Sequence, residues 1–195
     1  MYTFTAFLLV FLIRCSESSS SLNAVIFNEE YMDHKSLDHK TLSGRWYEHL
    51  DTLNNTSRDN TYADVMVLCD ETISLVYVAS RWIPALEECR SAAIRIHPDS
   101  ADSPEGTVIR ISTNETQGKF KTRYYDPHPT MGFVLVYHHT QLGDGYHIMT
   151  RQRDPSDLDD VIEQVLSALQ MNIRDFYVKS KDFGCERKEE KGIKI

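Results

Sequence analysis

His138, His139 and His147 are the residues of this 195-residue chain whose types and spacing come nearest to a chemical site. Imidazoles on neighbouring strands suit a transition metal such as zinc. Consecutive residues of a strand point to opposite faces, so at most one of His138 and His139 can share the side of His147. No Cys, Asp or Glu is spaced along the chain to complete a ligand set. The three therefore read as wall or surface residues, although a wall histidine could ligate a haem iron. Gly-rich phosphate loops, nucleophile elbows and paired metal-ligand motifs are absent from the sequence. The expectation is a protein that is not an enzyme, with no catalytic residue, no metal and no cofactor.

Composition narrows the partners. Lys and Arg number 21 against 29 Asp and Glu, a formal charge of −8, and no basic stripe stands out, which argues against nucleic acid. Hydrophobic residues make up 41%, enough for a packed core. Phe4 to Ile13 is almost continuously apolar, and Arg14-Cys15-Ser16-Glu17-Ser18 then turns polar. That run is too short to span a bilayer but suits a secretory signal, taken as residues 1–18 with cleavage within Cys15–Ser21. No later run is long enough for a membrane helix, so a soluble, secreted, extracellular protein is expected. Asn54, Asn55 and Asn114 open glycosylation triplets in polar stretches, in keeping with that route. If Cys15 leaves with the signal, Cys69, Cys89 and Cys185 remain, an odd number.

The elements that would position these residues are mostly strands. Residues 19–41 form a polar N-terminal extension. Arg45–Asp51, Thr61–Cys69, Ile73–Trp82, Cys89–His97, Thr107–Thr113, Phe120–Tyr125, Gly132–Thr140 and Gly145–Arg151 are short, apolar or alternating, and separated by turn residues. Such a meander without intervening helices implies an all-β sandwich or up-and-down barrel. Ser156 or Asp157 then caps a helix over 156–171, where Leu158, Val161, Ile162, Val165, Leu166 and Leu169 make one apolar stripe. Phe176–Val178 reads as a short strand and 186–195 as a charged, mobile tail.

Gly44-Arg45-Trp46-Tyr47-Glu48 opening the first strand, Ile148-Met149-Thr150-Arg151 closing the eighth, and a helix after them resemble the lipocalin family over residues 42–185. The family's middle motif, Thr-Asp-Tyr, is not intact, since Asp126–Gly132 occupies that loop. The resemblance implies an eight-stranded antiparallel up-and-down β-barrel with one C-terminal helix packed outside. It also implies a structural clasp in which Arg151 lies across Trp46 beside Gly44, and a disulfide Cys89–Cys185, with Cys69–Cys185 as the alternative. Alternation along each strand nominates cavity residues: Glu48 and Leu50, Leu75 and Tyr77, Ile94 and Ile96. It likewise nominates Ile109 and Ile111, Phe120 and Tyr124, then Phe133, Leu135 and Tyr137, and finally His147 and Met149. These residues either surround a ligand or fill the barrel as core. The function implied is a secreted carrier of a small hydrophobic molecule such as a lipid, retinoid or pigment. The alternative is an inhibitor or effector that meets a protein partner through loops 54–60, 98–106 and 126–132.

Overall fold

Eight strands in meander order close on themselves: β1 Gly44–Asp51, β2 Thr61–Cys69, β3 Ile73–Ile83, β4 Glu88–Pro98, β5 Glu105–Arg110, β6 Glu115–Tyr125, β7 Phe133–Thr140 and β8 Gly143–Thr150. Each pairs antiparallel with the next, and β1 pairs with both β8 and β2, so the sheet is a barrel. The computed structural model describes residues 37–52, 60–69, 73–100, 102–140 and 143–192. The expected signal peptide, residues 19–36 of the extension, and the acceptors Asn54 and Asn55 lie outside the described residues, while Asn114 sits exposed in the β5–β6 turn. Among the described residues, no helix is long and apolar enough to cross a membrane.

Strand limits follow the turn chemistry to within one or two residues except at the β5–β6 turn. β5 ends at Arg110, which leaves Ile111 exposed in the turn, and β6 begins at Glu115. The second strand face at this point is polar, so composition alone under-reads it.

The helix stands where its stripe placed it. A 3-10 turn, Ser156–Leu158, leads into α1, Asp159–Ala168. Ile162, Val165, Leu166 and Leu158 are buried against Leu50, Phe133, Leu135 and Ile148 on the outer face of the sheet. Two details differ from expectation. Neither Ser156 nor Asp157 caps the helix, because the 3-10 turn moves its N-cap to Leu158, and the helix stops before Gln170, whose φ is 59°. β9, Tyr177–Val178, then pairs with Leu50 and Asp51 of β1.

The C-terminal residues correct the tail reading. Gly184–Glu190 forms a second helix, α2, and Glu186 is buried. Arg45 holds it: the guanidinium donates twice to Asp64 at 2.8 Å and also reaches Glu186 at 3.0 Å and Glu189 at 3.1 Å. Tyr47 and Tyr62 donate to Glu186 and Glu189, each at 2.6 Å. A run that reads as solvated charge thus presents Glu186 and Glu189 on one helical face to matched donors. Cys185 is bonded to Cys89 of β4, with 5.5 Å between Cα atoms. Gly184 must lack a side chain here, since a Cβ would lie 2.1 Å from the Trp82 indole.

The chain before β1 plugs the other end of the barrel. His39–Leu42 is a 3-10 turn whose N-cap Asp38 accepts from the Lys40 amide at 3.0 Å. Leu37 and Leu42 are buried beside Trp46, so the barrel's structure begins inside the segment read as an extension. His39 is fully buried, and neither ring nitrogen has a hydrogen-bond partner. Burial lowers its pKa from the ordinary 6.5, against the weaker pull of the nearby Asp38 and Asp102 carboxylates. A lowered pKa in the fold means its full contribution to stability is present above pH 6.5 and is lost as pH falls through the folded-state value. His39→Phe should therefore flatten the loss of stability on the acid side, measured by urea unfolding at stepped pH. At pH 7 it should be neutral or stabilising, because an unsatisfied buried polar group costs about 1–3 kcal/mol.

Candidate ligand cavity

Inside the barrel is a cavity of about 600 Å³. Its floor is Leu42 and Trp46, and Val65, Leu75, Ile94, Ile96, Val108, Phe120, Val134, Val136 and Met149 make apolar walls. Thr61, Arg81 and Thr140 stand toward the opposite end, where the strands meet the β1–β2, β3–β4 and β7–β8 connections.

The floor is built by one residue pair far apart in sequence. The Arg151 guanidinium carbon lies 3.6 Å from the centre of the Trp46 ring. Arg151 also donates to the carbonyls of Thr41, Ser43 and Arg45 at 2.9, 2.8 and 3.1 Å. The Trp46 indole N–H donates to the Leu42 carbonyl at 2.8 Å. Gly44 is favoured by its φ of +105°, and a Cβ there would stand 3.0 Å from the Arg151 guanidinium, close enough to push it aside slightly.

A polar corner interrupts the apolar wall. Glu48 on β1 accepts from His147 Nδ1 at 2.5 Å, and its other oxygen lies 3.3 Å from Lys179 Nζ. Asp51 lies 3.5 Å from His147 and 3.6 Å from Lys179. His147 Nε2 faces His138 Nε2 at 3.4 Å, and the Tyr77 hydroxyl donates to the Met149 sulfur at 3.1 Å. Burial opposes charge on Glu48, but the His147 hydrogen bond and the charges of His147 and Lys179 prevail and hold its pKa down at about 2. Burial likewise opposes the His147 cation, and Glu48 and Asp51 outweigh it, so its pKa is raised. Burial and the His147 charge push His138 down to about 4. Burial and the Glu48 charge raise Tyr77.

Lys179 reaches this corner because β1 changes neighbours along its length. Gly44–Tyr47 pairs with β2, whereas Leu50 and Asp51 pair with β9, and the Lys179 amide donates to the His49 carbonyl at 2.9 Å. Asn60 closes the junction, donating to the Ser180 carbonyl at 2.8 Å.

Of the residues nominated from sequence, Glu48, Leu75, Tyr77, Ile94, Ile96, Phe120, His147 and Met149 line the cavity. Leu50 and Tyr124 do not, because register shifts between Glu48 and Leu50 and between Thr122 and Tyr124 reverse the alternation. Both pack outside, under α1. Phe133 and Leu135 also face α1, and Tyr137 points outward to Asp144 at 2.9 Å; the inward face of β7 is Val134, Val136, His138 and Thr140. On β5 it is Gly106 and Val108 that face inward, so Ile109 faces out, and Ile111 lies in a turn. Neither lines the cavity. The reading that no acid accompanies the histidines also fails, since Glu48 and Asp51 stand beside His147 across the β1–β8 ladder.

No protein-family model and no curated protein sequence matches the chain. Solved structures do. A biogenic amine-binding protein superimposes with a TM-score of 0.62 at 11% identity, over 83% of this chain and 93% of that one. The amine-binding protein of Rhodnius prolixus, solved with tryptamine, gives 0.59 at 11% identity over 92% and 96%. A major cockroach allergen gives 0.57 at 14% identity over 76% and 91%. At such identities the likeness is one of fold alone: a closed, eight-stranded antiparallel barrel.

Proposed function

We propose that this protein is a secreted, lipocalin-type carrier that binds or sequesters one small, largely hydrophobic molecule, and that it is not an enzyme. The observation that carries this reading is the cavity: about 600 Å³, apolar on most of its wall, with one polar corner. That size lies within the usual range for small-molecule sites of roughly 300–1,000 Å³. The Cys89–Cys185 bridge supports the secreted part, because such bonds persist in oxidising compartments.

Two proteins of this fold are named for amines, which makes tryptamine a useful first probe. Here, however, both Glu48 oxygens are already engaged, one by His147 and one by Lys179. The corner is therefore expected to favour a ligand with a neutral polar end over a protonated amine of the same size. Native mass spectrometry of retained ligand and displacement of a fluorescent lipid test this together. Saturable one-to-one displacement by neutral lipophiles supports the carrier; a protein that retains nothing and displaces nothing overturns it. Val136→Trp should project an indole into the cavity and weaken probe binding by about tenfold or more, which corresponds to ~1.4 kcal/mol.

A further inference from the structure

We propose that His138 and His147 form a two-point site for a divalent transition metal such as Zn²⁺ on the inner wall of the barrel, with Glu48 as the residue that orients His147. The site does not depend on the carrier reading.

Within the polar corner, Glu48, Asp51 and His147 offer ligand atoms within 4.8 Å of one another. The carboxylate side of that group is nevertheless a poor place for a dication, since Lys179 Nζ stands 3.3 Å from Glu48 and 3.6 Å from Asp51. A cation already serves those oxygens. The other side of the His147 ring is different. Its Nε2 lies 3.4 Å from His138 Nε2, and both residues line the cavity. Two nitrogens bound to one tetrahedral zinc at about 2.0–2.1 Å are separated by roughly 3.3–3.4 Å. The ring centroids are 4.2 Å apart and the planes are tilted by 29°, so the rings lean together at their Nε2 edges. Convergence of both lone pairs on one ion requires the stacked His138 ring to turn further about Cβ–Cγ, since Glu48 holds His147.

The partner of His147 on its other nitrogen is the kind that metal-bound imidazoles have. Glu48 sits 2.5 Å from Nδ1 with its side chain only 9% exposed, which fixes the ring and leaves Nε2 for the metal. Imidazole nitrogen suits zinc and copper better than magnesium or calcium. The coordination positions that the two histidines leave open face the cavity, where water or a ligand heteroatom could fill them. His139, the third histidine of the group, points outward to Asp144 with its side chain 65% exposed and takes no part.

The experiment uses the full-length secreted protein with Co²⁺ as a visible-absorption probe and Zn²⁺ by calorimetry. One equivalent should bind, with the intense d–d bands of a four-coordinate site. His138→Ala is the main variant, because it leaves the Glu48–His147–Lys179 group in place; it should abolish the bands while the circular dichroism spectrum is unchanged. Glu48→Gln should weaken binding by about 10–100-fold, and His139→Ala should leave it unaltered. Binding that survives His138→Ala, binding that disappears in His139→Ala, or no one-equivalent binding at all would each overturn the site.

Discussion

Trp46→Ala is expected to destabilise the barrel by about 3–5 kcal/mol, read as a shift in the urea midpoint. Trp46 is 2% exposed and floors the cavity. Its truncation opens a void at the end that Leu37 and Leu42 plug, and it also strips the aromatic face from Arg151. The indole and the guanidinium are coupled, so their effects should not add. A cation over an aromatic ring contributes about 0.5–2 kcal/mol, and Arg151 also satisfies three carbonyls that would otherwise compete for water. Arg151→Lys retains the charge but loses the fork and should still cost stability. In a Trp82→Phe background the emission of Trp46 should be blue-shifted and poorly quenched by iodide. Red-shifted, freely quenched emission would refute the clasp as the barrel's closing feature.

Removing the Cys89–Cys185 bridge should cost up to about 4–5 kcal/mol on the chain-entropy view of a loop of this size, a fall of roughly 10 °C in Tm. The double Ser variant should lose α2 first. That helix carries Arg187, exposed, and Lys188, held against Trp82 and the Glu87 carbonyl, so trypsin should cut there in the variant while sparing the oxidised protein. If α2 resists trypsin and the midpoint does not move, then Arg45, Tyr47 and Tyr62 hold the helix without the covalent bond. The outcome separates the contribution of the bridge from that of the Arg45 network.

Much of the fold was legible because it is written in local patterns. β2 reads correctly to the residue, since turn residues bound an apolar, β-branched run. Leu158 to Leu169 repeats at helical spacing and packs as such. The closing pair Trp46 and Arg151 could be named only through the resemblance, because nothing local links residues so distant. The inner wall was harder. Period two holds only while the ladder is regular, and one extra residue in β1 sends Leu50 outside while Glu48 and Asp51 remain within. β7 hides its orientation for another reason: α1 covers its outer face, so Phe133 and Leu135 are as apolar as Val134 and Val136. Glu48 was named for the wall, but its pairing with His147, and the place of Asp51, were not legible because both acids arrive from the first strand, across a ladder that no spacing records. Glu186 to Glu190 reads as solvated charge until Arg45 is seen facing it.

The change of neighbours along β1 has a consequence for how the chain can be made. Its first half finds β2 soon after both leave the ribosome, yet Leu50 and Asp51 wait for β9, near the other end of the chain. Until then Glu48 and Asp51 are two acids without Lys179, although β8 can already pair with the other edge of β1. Completion of the polar corner, as distinct from closure of the barrel through β8, thus waits for the arrival of the last segment. A chain ended before Tyr177 should therefore still close β1 on β8 but leave Glu48 and Asp51 without their ammonium partner, and should be less stable than the full chain.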